Sequence, residues 1–342
     1  MEYIALGKSG LIVSRTAFGA LPVQRVSDMS EAVALVRAAY DGGINFFDTA
    51  RAYTDSEDKL GKAFAKIRKD VVIATKSAAR TSEALTRDLE TSLDCLMTDY
   101  IDLYQLHNPS FIPVPGGADG LYDALAAAKS AGKIRAFGVT NHSRALAREA
   151  AESGLYDAIQ YPFSCLSDSL DEELARACVE REVGFIAMKA LAGGLIANVR
   201  GAFAWIRQFE NVVPIWGIQR KEELAEFLEL ERNPPPLDEE LRLAIEADRA
   251  ELSGRFCRGC GYCLPCPQNI PINNANRMRE LLRRSPPDQW LTSEWEELMS
   301  RIESCAKCGI CGKRCPYGLK PWETLPEHLA FWRDYKKKRR VP

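Results

Sequence analysis

From residue 14 to about 230, short apolar runs alternate with longer stretches in which apolar residues recur every three or four positions. Short apolar runs bounded by turn residues predict buried strands, and the longer recurrence predicts amphipathic helices. The expected strands are Arg15–Phe18, Ile44–Asp48, Val71–Thr75, Ile101–Leu106, Ile134–Val139, Ala158–Gln160, Gly184–Ala187 and Val212–Trp216. Between them, helices are expected at Glu31–Tyr40, Asp58–Ile67, Ser82–Leu96, Gly120–Ser130, Ala145–Glu152, Leu170–Glu182, Gly201–Phe209 and Glu222–Leu230. Eight strands, each followed by a helix, is the count of an α/β (β/α)8 TIM barrel. A doubly wound open sheet is the alternative, lowered because no Gly-x-Gly-x-x-Gly follows the first strand. The opening Tyr3–Val13, with Gly7 and Gly10 at turn positions, reads as a hairpin that can close the bottom of a barrel.

Asn233-Pro-Pro-Pro236 is a stiff, non-helical spacer and marks a domain boundary. The expected organisation is a barrel over 1–235, a linker helix over 236–252, a second, smaller domain over 253–325 and a basic tail over 326–342. Helical patterns at Asn274–Arg284 and Ser293–Ile302 make the third segment helical. The tail ends in Lys336-Lys337-Lys338-Arg339-Arg340 and reads as a solvated, frayed terminus. Composition is that of a globular protein, 46 % hydrophobic and 27 % charged. A formal net charge of −2 gives no reason to expect nucleic acid. No apolar leader and no stretch of 18 apolar residues occurs, so a cytoplasmic protein without a membrane span is expected.

Eight of the eleven cysteines change this picture, because they form two tight runs. The first is Cys257, Cys260, Cys263 and Cys266; the second is Cys305, Cys308, Cys311 and Cys315, and each closes with Cys-Pro. Three thiolates at C-x2-C-x2-C wrap one face of an iron–sulfur cube, and the Cys before Pro then ligates the other cluster. Two [4Fe–4S] clusters are therefore expected. One would be held by Cys257, Cys260, Cys263 and Cys315, the other by Cys305, Cys308, Cys311 and Cys266. Zinc takes four thiolates as two separated pairs and has no use for a third close cysteine. Cys95, Cys165 and Cys178 stand apart and read as buried core residues.

In a barrel, chemistry sits where the strands end. Asp48, Lys76 and His107 lie at the ends of the second, third and fourth expected strands, and Tyr53 lies in the loop after Asp48. Such a group suits proton donation to a carbonyl that is receiving hydride. Tyrosine is a weak acid, a nearby ammonium stabilises its phenolate, a carboxylate holds the ammonium, and a histidine orients the carbonyl oxygen.

The runs Ile44-Asn-Phe-Phe-Asp48-Thr-Ala-Arg-Ala-Tyr53, Glu57-Asp-Lys-Leu-Gly61 and Tyr100-Ile-Asp-Leu-Tyr-Gln-Leu-His107 resemble the aldo-keto reductase family over roughly residues 1–230. The resemblance implies Tyr53 as proton donor, Lys76 as its modulator, Asp48 as the lysine's partner and His107 as the carbonyl-orienting residue. It further implies a nicotinamide cofactor, NADP(H) ahead of NAD, with Thr140, Asn141 and Gln160 on the carboxamide and Met188 at a stacking position usually aromatic. Gly217, Gln219 and Arg220 resemble the phosphate-binding turn, with Arg220 on a 2′-phosphate; Phe227 stands where an adenine-contacting amide is usual. The whole chain resembles a subgroup carrying a C-terminal ferredoxin-like domain.

The function expected is an oxidoreductase acting on a small aldehyde, ketone or alcohol, with two clusters for electron transfer. Hydride carries two electrons and a cluster passes one, so a flavin in the barrel or a flavoprotein partner enters as a converter, and a ferredoxin enters as a one-electron redox partner. The alternative is an electron-transfer or redox-sensing iron–sulfur protein whose barrel docks a partner or holds a different cofactor. A purely structural role for the clusters also stays open.

Overall fold

A computed structural model describes residues 1–252 and 256–339. Ser253–Arg255, at the start of the expected ferredoxin-like domain, and Arg340–Pro342, at the end of the expected tail, lie outside the described residues. Strands β1 (Tyr3–Ala5) and β2 (Ile12–Ser14) pair antiparallel as the expected hairpin. Eight parallel strands then close a barrel: β3 (Ala17–Gly19), β4 (Phe46–Asp48), β5 (Val72–Ser77), β6 (Ile101–His107), β7 (Ile134–Thr140), β8 (Ala158–Pro162), β9 (Gly184–Met188) and β10 (Val212–Gly217). Helices follow them in turn: α1 (Met29–Asp41), α2 (Ser56–Phe64), α3 (Ser82–Cys95), α4 (Leu121–Ser130), α5 (Arg144–Glu152), α6 (Ser169–Glu180), α7 (Val199–Ile206) and α8 (Lys221–Arg232). Their ends follow local chemistry: Asp28, Thr81, Ser143 and Asp168 cap α1, α3, α5 and α6 by accepting from first-turn N–H groups.

The barrel interior is layered by the two-residue period of the strands. Ala17, Phe46, Ala74, Leu103, Ala136, Ala158, Ile186 and Val213 form one apolar layer, and Leu6, Leu11 and Val13 of the hairpin segment pack against it. The hairpin approaches closely. A Cβ on Gly7 would lie 2.3 Å from the Gly184 nitrogen, and Gly7 also holds φ +54°, so only glycine fits. Two residues further along the same strand faces stand Asp48, Lys76, Gln105, Gln160 and Met188.

The chain divides into two compact units. The first is Met1–Ala190 with Phe203–Leu237; the second is Leu191–Ala202 with the chain from Asp238 onward. The second unit therefore takes a segment from within the expected 1–235 barrel, and the expected linker helix, α9 (Glu239–Glu251), groups with it. Its other helices are α10 (Ile272–Ala275), α11 (Met278–Arg284), α12 (Ser293–Ser300), α13 (Ile310–Lys313) and α14 (Pro321–Arg339). The helix expected at Asn274–Arg284 is thus broken into α10 and α11.

The tail expected from 326 is instead the body of α14. Leu325, Leu329 and Trp332 recur at helical spacing and enter a core with Ile272, Met278, Leu282 and Met299. Lys336 lies along the Trp332 ring, 4.9 Å from its centroid, and its ammonium reaches Glu296 at 2.7 Å. Among the described residues no helix is long and apolar enough to cross a membrane.

One buried carboxylate holds the foot of the barrel wall. Asp102, fully buried near the start of β6, accepts from Arg68 Nη2 at 2.7 Å, the Ile73 N–H at 2.9 Å and Arg135 Nη1 at 2.7 Å. Removing it strands the largely buried Arg68 without its counter-charge. Asp102→Ala is expected to lower the unfolding free energy by about 3–5 kcal/mol, read from urea denaturation.

Candidate active site and cysteine cluster

Lys76 enters the barrel from β5 and is fully buried. Its Nζ donates to Asp48 Oδ2 at 2.7 Å and to the Thr49 carbonyl at 2.5 Å. Burial pushes Lys76 below the ordinary lysine value and Asp48 above the ordinary carboxyl value, each opposed by the attraction between them. The same Nζ lies 5.3 Å from the centroid of the Tyr53 ring. Tyr53 sits in the loop between β4 and α2, and its ring meets His107 edge-on at 6.0 Å between centroids. The four residues expected to converge do converge.

His107 ends β6. Burial drives its pKa down to about 3, with Lys76, Arg80 and Lys189 adding positive charge nearby. Its imidazole is therefore neutral in the ordinary pH range and carries one N–H donor.

Beside this group lies an amide-lined patch. Gln105 Nε2 donates to Gln160 Oε1 at 2.9 Å, and the Thr140 hydroxyl lies 3.2 Å from Gln105 Oε1 and 3.1 Å from Gln160 Oε1. Asn141 is turned to loop backbone: Nδ2 donates to the Pro109 carbonyl of the loop after β6 at 2.8 Å, and Oδ1 accepts from the Ser143 N–H at 2.8 Å. Met188 ends β9 with 7 % of its surface exposed. Gly217 ends β10, and Gln219 and Arg220 lead into α8. Here the outcome differs from a free phosphate-binding arginine. Arg220 Nε and Nη2 both donate to Glu223 Oε1, at 2.9 and 2.7 Å, while Oε2 accepts from the Gln219 and Arg220 N–H groups. That carboxylate engages Nε and Nη2 and leaves Nη1 out of the pair. Phe227 is buried and stacks on Trp216 at 4.6 Å.

In the second unit the two cysteine runs interleave. A cavity with about 510 Å³ of empty space, counted to its open mouth, is lined by Cys305, Cys308 and Cys311 and also by Cys263 and Cys266. Burial raises the Cys257 thiol, and Cys260 and Cys315 raise it further. Cys263 is pushed up to about 12 by burial, with Cys257, Cys260 and Cys311 adding to it. Cys315 of the second run thus acts on Cys257 of the first, and Cys266 of the first run faces the second. This donor set of clustered, partly buried thiols fits iron, whose binding offsets the unfavourable burial of thiolate charge. Cys165 and Cys178 are buried as expected. Cys95 is not: it is half-buried and accepts from Arg51 Nη1 at 3.3 Å, because it ends α3 beside the Tyr53 loop.

Residues 17–202, more than half of the 342-residue chain, match the Aldo/keto reductase family. The chain belongs to this family. Residues 256–320 of this aldo/keto reductase match a 4Fe-4S dicluster domain. It is similar to aldo-keto reductase YhdN of Bacillus subtilis, 30 % identical over 58 % of this chain and 64 % of that protein. It is also similar to L-galactose dehydrogenase of Arabidopsis thaliana, 32 % identical over 58 % of this chain and 68 % of that protein. The chain thus spans about two thirds of the length of each. In fold it is similar to the holo form of aldo-keto reductase AKR11C1 from Bacillus halodurans, with a TM-score of 0.63, 23 % identity, and coverage of 72 % and 96 % of the two chains.

Residues that support the site were missed at the level of sequence. Glu57, with 1 % of its surface exposed, accepts from the Thr75 hydroxyl at 2.6 Å and pairs with Arg51 on the Tyr53 loop. Lys59, fully buried, donates to the Val23 and Val26 carbonyls at 3.1 and 2.8 Å. Gln105 could have been found, since it stands two residues before His107 on the same strand face.

The neutrality of His107 gives a signed pH expectation. An unfolded histidine takes up a proton near its ordinary value of about 6.5, whereas the folded His107 does so only near 3. Below about pH 6.5 the unfolded chain binds the extra proton, so His107's contribution to stability is full above that pH and is lost as pH falls toward the folded value. His107 ring resonances are expected to stay constant between about pH 5 and 9 in nitrogen-detected NMR. A midpoint near the ordinary histidine value would overturn the neutral assignment.

Proposed function

We propose that this aldo/keto reductase interconverts a small aldehyde or ketone and its alcohol, with Tyr53 as the proton donor. The observation that carries the reading is the buried Lys76–Asp48 pair lying 5.3 Å from the Tyr53 ring. Thr140, Asn141, Gln160 and Met188 would hold a nicotinamide, which when bound supplies or accepts the hydride. The amide-lined patch at Gln105, Thr140 and Gln160 supports that end of the site. Gly217, Gln219 and Arg220 would hold the phosphate end of the dinucleotide, NADP(H) ahead of NAD.

The chain's own residues then perform the proton chemistry. The Tyr53 hydroxyl gives its proton to the carbonyl oxygen as negative charge builds there. The Lys76 ammonium stabilises the phenolate left behind, and Asp48 keeps that ammonium charged in a buried setting. His107, neutral, donates its N–H to the carbonyl oxygen and fixes the carbonyl's orientation.

In the second unit, Cys257, Cys260, Cys263 and Cys315 would hold one [4Fe–4S] cluster and Cys305, Cys308, Cys311 and Cys266 the other. The interleaving of the two runs supports this crossed assignment. Bound clusters exchange single electrons, and a ferredoxin or flavoprotein is the redox partner such a unit serves. Clusters of this kind persist in a reducing compartment, which is the basis for placing the protein in the cytoplasm.

Two measurements test the reading. Tyr53→Phe is expected to slow carbonyl reduction by about 10²–10⁴ while dinucleotide affinity, read by fluorescence titration, stays within a few-fold. Unchanged turnover in that variant would remove Tyr53 from the mechanism. Anaerobically prepared protein is expected to hold about eight iron and eight acid-labile sulfide per chain, and stoichiometric zinc without sulfide would overturn the cluster assignment.

A further inference from the structure

We propose that the surface around Cys308 docks an acidic one-electron carrier protein. This rests on the reading that the cysteine runs hold clusters.

Three observations support it. Cys308 is the one exposed cysteine among the eleven. Electron tunnelling falls steeply with distance, so the thiolate that reaches solvent marks the shortest route between a cluster and a partner. The charged residues from Cys305 to Trp322 are all cationic. From Phe256 to Arg279 and from Cys305 to Trp322 the chain holds no Asp or Glu, but carries Arg258, Arg277, Arg279, Lys307, Lys313, Arg314 and Lys320. Of these, Lys307, Lys313 and Arg314 are exposed, lie one to six residues from Cys308, and make no ion pair among the described residues. Arg314 bonds only the Pro265 carbonyl, at 3.3 Å, which leaves its charge uncompensated.

The contrast with α14 sharpens the point. There the basic run is balanced within the unit: Arg333 pairs with Glu303 at 2.8 Å, Lys336 with Glu296 at 2.7 Å, Lys338 with Asp334 at 2.7 Å, and Arg339 with Asp288. Carboxylates of the unit pair with those cations, whereas Lys307, Lys313 and Arg314 pair with none among the described residues. An uncompensated basic rim about an electron port complements a carrier with an acidic rim, and such complementarity raises the encounter rate. On contact one electron leaves the reduced carrier and enters the cluster nearest Cys308. The carrier is oxidised by one electron, the cluster is reduced by one, and no bond or proton changes place.

The test uses the full, cluster-loaded chain, with a purified acidic ferredoxin, chemically reduced, as the probe. Stopped-flow bleaching of the chain's clusters is the readout. At low ionic strength the triple variant K307E/K313E/R314E is expected to slow this step at least about tenfold. Added salt is expected to slow the wild type and leave the variant nearly flat, because surface charges are screened beyond about 10 Å at 0.1 M. Reduction by dithionite should be the same in both proteins. K307Q/K313Q, which removes charge without reversing it, should lie between them and serves if the triple variant does not fold.

A variant that keeps the wild-type rate and salt dependence overturns the docking surface. So does a variant whose rate falls only as far as its cluster potential has moved, since the cations would then serve only to offset cluster charge. Binding of anionic phospholipid vesicles through the same three residues, with no response to the ferredoxin, would assign the rim to a membrane surface and overturn the protein carrier. Iron and sulfide counts on each preparation separate the two levels. Clusters present without charge-dependent transfer defeat this proposal alone, whereas absent clusters defeat the reading beneath it and this proposal with it.

Discussion

The barrel is organised around a charge that has no water. Lys76 and Asp48 are both buried; Asp48, Glu57 and the Thr49 carbonyl favour the ammonium, and Lys76 and Gln160 favour the carboxylate. Removing one partner would leave an uncompensated buried charge, a change that typically costs about 3–5 kcal/mol. The surrounding arrangement serves to keep this pair in place. On the outer face of β5, Thr75 next to Lys76 donates to Glu57, and Glu57 pairs with Arg51 two residues before Tyr53. The loop carrying the hydroxyl and the strand carrying the ammonium are thereby tied to one buried carboxylate. Their separation is set by packing rather than by chance encounter.

Burial is also what keeps His107 neutral, and the cations around it, Lys76, Arg80 and Lys189, add to the effect. A second cation in that space would be repelled, so the imidazole contributes a dipole instead of a charge. The mouth of the barrel then carries one ammonium, one neutral N–H donor and a ring of amides at Gln105 and Gln160. That field suits an oxygen on which negative charge grows, because its donors are oriented before the reaction begins.

Much of this was legible because strands alternate. Once the apolar layer from Ala17 to Val213 is read with a period of two, the next inward residue on β4, β5, β6 and β8 is a polar one, and Asp48, Lys76, Gln105 and Gln160 follow. The thiol spacings were legible for a similar reason, since two-residue gaps turn the backbone by a fixed amount. What was hidden depends on partners distant in sequence or on competing local bonds. Nothing near Glu57 signals that it is buried, because its partners come from a strand and a loop that only folding brings together. The bond that Glu223 makes to Arg220 was not anticipated, although its place three residues on is that of a capping box. The five cations from Lys336 outweighed the Leu325, Leu329, Trp332 spacing before them, so a packed helix was read as a tail.

The two cysteine runs also constrain each other. Cys266 of the first run lines the cavity of the second, and Cys315 of the second acts on Cys257 of the first. Cys263 and Cys311, one from each run, lie in the same apolar core as Ile302, Leu325 and Leu329. Loss of one thiol therefore disturbs both sites and the core that separates them from solvent. A small helical unit with so much of its core adjoining thiols gains folding free energy from bound metal, whichever way electrons pass. Structural and redox roles are then not rivals for these residues. The core fixes the thiols, and the metal would fix the core, with Cys308 the most exposed of the eight cysteines in the two runs.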